Sequence, residues 1–300
     1  MASSVMGKAV QVWMIPLDVS EDTLRRYFTY LSEDEQVRAD RFRFEADRRR
    51  FAVARGTLRQ LLAREFGQTP HEIEFCYGEY GKPTLGPRAP RQRARTDAQS
   101  LAQIEGATAE GLKKECRFHF NLSHSGEVAL CALGHHRPIG IDIEKIKPMQ
   151  RLDSMMSRCF TQQEQRQVAQ TDNPSHTFLQ YWTCKEAYLK AIGLGLTQSM
   201  QTVEVQLAPP KLMRVPQKRP EGWQLSLLSL PTANPSKSAT QAVTQAVTQE
   251  ASRGANQGAS RGASQGASQG ASQKAQSDEY VCALVVAGAA TVNIHPWTHQ

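Results

Sequence analysis

Asp142 and Glu144 stand two residues apart in the run Ile139-Gly140-Ile141-Asp142-Ile143-Glu144. Glu186 and Lys190 stand four apart in Trp182-Thr183-Cys184-Lys185-Glu186-Ala187-Tyr188-Leu189-Lys190. On a strand, a period of two sends Asp142 and Glu144 to one face and Ile141 and Ile143 to the other. On a helix, Trp182, Glu186 and Lys190 share one stripe. If that helix lies against that strand, three carboxylates meet beside a lysine, a site suited to holding Mg²⁺ against a phosphate. Taken singly the pieces have plainer readings. Asp-x-Glu on a strand is commonly a solvated face, and Glu186–Lys190 is a helical ion pair worth a few tenths of a kcal/mol. Three like charges focused on one point are costly without a cation, so their convergence is either wrong or metal-linked.

Ser123-His124-Ser125 follows the apolar run Phe118-His119-Phe120-Asn121-Leu122. In a turn, two hydroxyls and an imidazole can grip a phosphate, or the serines can simply bond local backbone. The Gly-x-Ser-x-Gly pattern of a nucleophile elbow is absent. His124, Cys131, His135 and His136 lack the spacing of zinc ligands. Lys82, Lys185, Lys190 and Arg49 each sit beside or inside an apolar or turn element. Together with a carboxylate–metal centre they suggest a ligand carrying several phosphates.

The elements that would position these residues are legible in outline. Val10–Ile15 reads as an opening strand, and helices follow from the caps at Ser20 and Ser32. Residues 46–66 form a long amphipathic helix ended by Gly67. Ile73–Tyr77 is a short strand and Gly81-Lys82-Pro83 a turn. Phe118–Leu122 and Val128–Leu133 are strands around a turn at Ser123–Gly126. The segment 134–138 is a hinge. The second half opens with strand 139–144, continues with helices from about Leu152, Thr161 and 176, and adds strands at 203–207, 223–228 and 280–287. Residues 86–115 read as a polar loop insertion. Residues 232–278, with cycling Gly-Ala-Ser, read as a disordered insertion. The expected fold is α+β, a pseudo-dimer of two similar halves at 1–137 and 138–300, each with a small, mainly antiparallel sheet packed on helices.

The chain of 300 residues is 40% apolar and carries a net charge of +7, which attracts polyanions, anionic ligands or acidic proteins. Its longest apolar runs are too short to span a bilayer, no signal-peptide segment is evident, and the six cysteines show no Cys-x-x-Cys pair. A cytoplasmic monomer without nucleic-acid or membrane partners is expected.

The blocks Gly81-Lys82-Pro83, Phe120-Asn121-Leu122-Ser123-His124-Ser125, Gly140–Glu144 and Trp182-x-x-Lys185-Glu186-Ala187-x-x-Lys190, with Arg50-Phe51-x-x-Ala54-Arg55, resemble the Sfp-type 4′-phosphopantetheinyl transferases. They occur in that family's order, over about residues 8–230 and the strand at 280–287. The resemblance implies coenzyme A bound between the halves. A serine of an apo carrier protein would attack the phosphate bearing the pantetheine arm, releasing adenosine 3′,5′-bisphosphate. It also implies Mg²⁺ on Asp142, Glu144 and Glu186, with Glu186 as candidate base and Lys190 on the leaving phosphate. Lys82, Ser123, His124, Lys185 and Arg49 would contact the coenzyme, and acidic carrier proteins would be the partners. A Mg²⁺-dependent phosphohydrolase and a basic nucleic-acid binder are the competing readings.

Overall fold

The computed structural model describes residues 9–86, 118–195, 198–216, 219–231 and 280–299. The insertions expected at 86–115 and 232–278 lie outside these residues, Gly86 excepted. The first half runs β1 (Ala9–Pro16), α1 (Glu21–Tyr30), α2 (Glu33–Asp40), α3 (Glu45–Phe66), β2 (Phe75–Tyr77), β3 (Pro83–Leu85), β4 (Phe118–Ser125) and β5 (Val128–His135). The second repeats that order with β6 (Ile139–Lys145), α4 (Leu152–Cys159), α5 (Gln162–Ala169), α6 (Pro174–Ile192), β7 (Glu204–Leu207), β8 (Pro210–Arg214), β9 (Trp223–Leu227) and β10 (Tyr280–Ala287). One strand remains, β11 (Thr291–Pro296).

The sheets repeat as well. The strand order is β1-β5-β4 in one and β6-β10-β9 in the other, antiparallel throughout. The last strand departs from the pattern. β11 pairs in parallel with β1, Val10 opposite Val292 and Val12 opposite Ile294, so the end of the chain completes the first-half sheet. A single cut at 137/138 therefore divides the sequence more simply than the strands divide.

Strand alternation builds the layers. Val10 and Val12 of β1, Leu130 of β5, Ile141 and Ile143 of β6 and Leu284 of β10 form one buried cluster between the two sheets. The intervening residues face outward onto helices. Ala129 and Cys131 meet α1 and α3, while Ala283 and Val285 meet α6. The result is helices, sheet, sheet, helices. Burying both faces of each central strand is the main stabilising term, since apolar area removed from water contributes about 25 cal/mol per Å².

Both halves use one local device. Ser32 caps α2 and receives back the side chain of Glu35, whose Oε2 accepts from Ser32 N at 3.1 Å. Thr161 caps α5, and Glu164 Oε2 accepts from Thr161 N at 2.8 Å. Each glutamate is 1% exposed, so each needs a cation. Glu35 accepts from Arg55 Nε and Arg59 Nε on α3, and Glu164 from Lys185 Nζ on α6. Even the next residue repeats: Gln36 donates to Leu31 O and Gln165 to Phe160 O. Among the described residues, no helix is long and apolar enough to cross a membrane.

Candidate active site

The isoleucines of β6 anchor it in the inter-sheet core, so Gly140, Asp142 and Glu144 turn toward α6. Gly140 lets the helix come close. A Cβ there would stand 1.9 Å from Ala187 O and 2.4 Å from Ala191 N. At this separation the stripe on α6 reaches the strand. Lys190 Nζ donates to Asp142 Oδ1 at 2.6 Å and to Ser123 Oγ at 2.9 Å, and Ser123 Oγ donates to Asp142 Oδ1 at 2.8 Å. Glu144 Oε2 accepts from Ser125 Oγ at 2.9 Å.

Electrostatics places Glu186 in the same group. Burial pushes its carboxyl up to about 7; the charges of Asp142 and Glu144 push the same way and Lys190 opposes them. Glu144 is also raised, by burial first and by Asp142, against the Ser125 hydrogen bond and the charges of Lys147 and Lys190. Asp142 Oδ2 is buried without a hydrogen-bond partner. An orphaned carboxylate oxygen among carboxylates that destabilise one another's charge is an environment a hard cation relieves, and the all-oxygen donor set suits Mg²⁺. Among the described residues, no group of three or more His, Cys, Asp or Glu side chains is already gathered to hold a metal. Lys190 is the cation bonded to Asp142 Oδ1, at 2.6 Å.

The remaining residues singled out from sequence are placed unevenly. Ser123 and His124 lie on β4 itself, with the turn at Gly126–Glu127, so the turn expected at Ser123–Gly126 starts too early. Ser123 joins the Asp142–Lys190 group. His124 points to the opposite face, at the surface, and its imidazole is held below its ordinary value by desolvation and by the charges of Lys190 and Arg50. Lys82 Nζ donates to the carbonyls of Lys190 at 2.6 Å, Ala191 at 2.9 Å and Ile139 at 3.3 Å. It thereby ties the β2–β3 hairpin to the negative end of α6. Arg49 turns away toward α1, donating to Glu21 and to Val19 O. Its neighbour Arg50, bonded to Asp47 and Glu127, is the arginine beside His124.

Lys185 requires correction. Assigned to the coenzyme on sequence, it is fully buried on the far face of α6, where Nζ donates to Glu164 Oε2 at 2.6 Å, Met200 O at 3.1 Å and Cys159 O at 3.2 Å. It is a structural ion-pair partner. Two more side chains of the seam bond backbone: Asn121, which the sequence reading did not name as a site residue, and Ser125, which it read as a phosphate-gripping hydroxyl. Asn121 Oδ1 accepts from Ile141 N, and Ser125 Oγ accepts from Lys145 N. Their spacing with Ser123, every second residue, was the available signal.

Two family descriptions match the chain. One is the 4′-phosphopantetheinyl transferase superfamily over residues 138–245, and the other is the 4′-phosphopantetheinyl transferase N-terminal region over residues 18–101. The chain is 36% identical to the 4′-phosphopantetheinyl transferase HetI of Nostoc sp. over 208 residues, 69% of this chain and 77% of that protein. This chain belongs to the 4′-phosphopantetheinyl transferase superfamily. The transferase Sfp of Bacillus subtilis is 28% identical over 191 residues, 63% of this chain and 72% of that protein. As a phosphopantetheinyl transferase the protein uses coenzyme A and modifies carrier proteins. These relatives support neither the phosphohydrolase nor the nucleic-acid reading.

Proposed function

We propose that Asp142, Glu144 and Glu186 hold Mg²⁺ and that the seam between β4, β6 and α6 is where phosphopantetheine transfer takes place. The orphaned Oδ2 of Asp142, a carboxylate that Lys190 bonds through Oδ1 and whose charge raises the carboxyls of Glu144 and Glu186, carries the reading. Bound there, the ion would neutralise the pyrophosphate of coenzyme A, the main electrostatic requirement of phosphoryl transfer.

The chain's own residues do the rest. Lys190 lies between Ser123 and Asp142 and stabilises charge on the departing phosphate. Glu186, beside Lys190 and the other two carboxylates, would take the proton as the carrier serine oxygen bonds to the pantetheine-bearing phosphorus. The bond from that phosphorus to the bridging oxygen breaks, and adenosine 3′,5′-bisphosphate leaves. Ser123 would border the phosphates, with His124 and Arg50 at the exposed end of β4 and Lys82 at the C-terminal end of α6 flanking the site. Arg49, on α3 and engaged with Glu21, would have to leave that ion pair to reach the nucleotide. Ser123 and Lys82 come from the first half and Asp142, Glu144, Glu186 and Lys190 from the second, so a monomer has a complete site. The net charge of +7 favours acidic carriers.

Mass spectrometry of an apo carrier domain tests this directly. With coenzyme A and Mg²⁺ the carrier gains one phosphopantetheine; a chelator stops the gain and excess Mg²⁺ restores it. Full transfer in metal-free buffer would remove the assigned role of the three carboxylates.

A further inference from the structure

β6 is the outer strand of its sheet, so the N–H groups on the side away from β10 need partners from elsewhere. β4 of the other half supplies them from side chains. Asn121 Oδ1 accepts from Ile141 N at 2.8 Å and Ser125 Oγ from Lys145 N at 3.0 Å, each pair 20 residues apart, so the two strands run side by side in one direction. Ser125 has one hydroxyl proton. With Lys145 N–H bonded to its oxygen, that proton goes to Glu144 Oε2 at 2.9 Å. The hydroxyl is thereby fixed from both sides and can orient a carboxylate without adding charge.

The geometry points to Ser125 as a positioning residue that holds Glu144 toward Asp142 and Glu186 and so sets the affinity of the cluster for a divalent cation. This rests on the cation site proposed above. Ser123 holds Asp142 in the same manner, but it also accepts from Lys190, so its removal disturbs the lysine too. The hydrogen bonds of Ser125 go to one carboxylate and one backbone amide, which makes its effect separable.

Without a carrier protein there is no turnover, so Mg²⁺ can be titrated calorimetrically into the full-length protein with coenzyme A. Ser125→Ala is expected to weaken Mg²⁺ binding about tenfold, as loss of a partner to a ligating side chain does. Coenzyme A affinity in chelator should stay at the wild-type value. Ser125→Thr keeps the hydroxyl and should recover Mg²⁺ affinity. Ser125→Cys keeps the size but donates weakly, and gives the same reading if the alanine variant does not fold. Wild-type Mg²⁺ affinity in the alanine or cysteine variant overturns the inference, as does a threonine variant as weak as alanine. Absence of Mg²⁺ binding in the wild-type protein overturns the cation site itself, which separates that failure from a failure of the serine's role.

Discussion

Glu186 is the residue of the proposed site whose ionisation the fold shifts most among its carboxylates. Its carboxyl ordinarily titrates at 4.5 and is raised to about 7. Across that window the folded chain holds a proton that the unfolded chain has released. Stability without Mg²⁺ therefore falls as pH rises through it, by at most about 1.4 kcal/mol per unit, and levels off above it. The depressed imidazole of His124 contributes with the opposite sign, and Lys190, Asp142 and Glu144 face the same group, so the readout is a difference. Denaturant melts from pH 5 to 8 should show the slope in wild type and a flatter one in Glu186→Gln, which should also lose transfer while keeping its fold. Lys185→Ala separates two roles. A buried pair stripped of one partner is expected to lose about 3–5 kcal/mol of stability. The KM for coenzyme A should stay unchanged in the protein that remains folded, whereas a rise in KM with normal stability would return Lys185 to the coenzyme. Asp142, Glu144, Glu186 and Lys190 were legible because periods of two and four fix which side chains share a face. Lys185, and the choice between Arg49 and Arg50, were not. Neighbours on a helix point roughly 100° apart, and only the packing of α3 and α6 decides which faces the seam.

At the scale of elements, the site depends on how closely α6 approaches β6. Gly140→Ala places a methyl carbon against the Ala187 carbonyl, a backbone atom that cannot rotate away. Overpacking of this kind costs about 1–3 kcal/mol, and here the relaxation pushes Lys190 and Glu186 off the strand. The expected result is a lowered thermal midpoint and a loss of turnover larger than the stability change explains; kcat and calorimetry on one preparation check both. The opening strands, the long helices and the paired caps at Ser32 and Thr161 were readable because capping and amphipathic period are local properties. β11 was missed. Thr291–Pro296 is short, ends in proline and finds its partner β1 at the other end of the chain. The early placement of the β4 turn has a similar cause. Ser-His-Ser-Gly is turn-prone in isolation, but the ladder with β5 carries the strand on to Ser125.

For the whole molecule, duplication explains why the site is asymmetric. Both halves keep the same sheet, the same three helices and the same buried capping glutamate, yet the three carboxylates of the proposed site come from the second half. In the proposed site the first half contributes Ser123, Ser125 and Lys82, so neither half would hold it alone. A chain of net charge +7 should bind the acidic carriers proposed above through screened attraction. The KM for the carrier is expected to rise several-fold from about 50 mM to about 500 mM salt, with kcat little changed. A salt-independent KM would argue for an apolar docking surface. The duplicated order was visible in sequence as two runs of strand, helices and strands; the face-to-face packing of the sheets was not, since buried valines and isoleucines do not name their partners.

Anomalous scattering from Mn²⁺ in crystals grown with coenzyme A tests the central claim most directly. A peak is expected at the seam within about 2.5 Å of oxygens from Asp142, Glu144 and Glu186. A peak that none of the three carboxylates touches would contradict it.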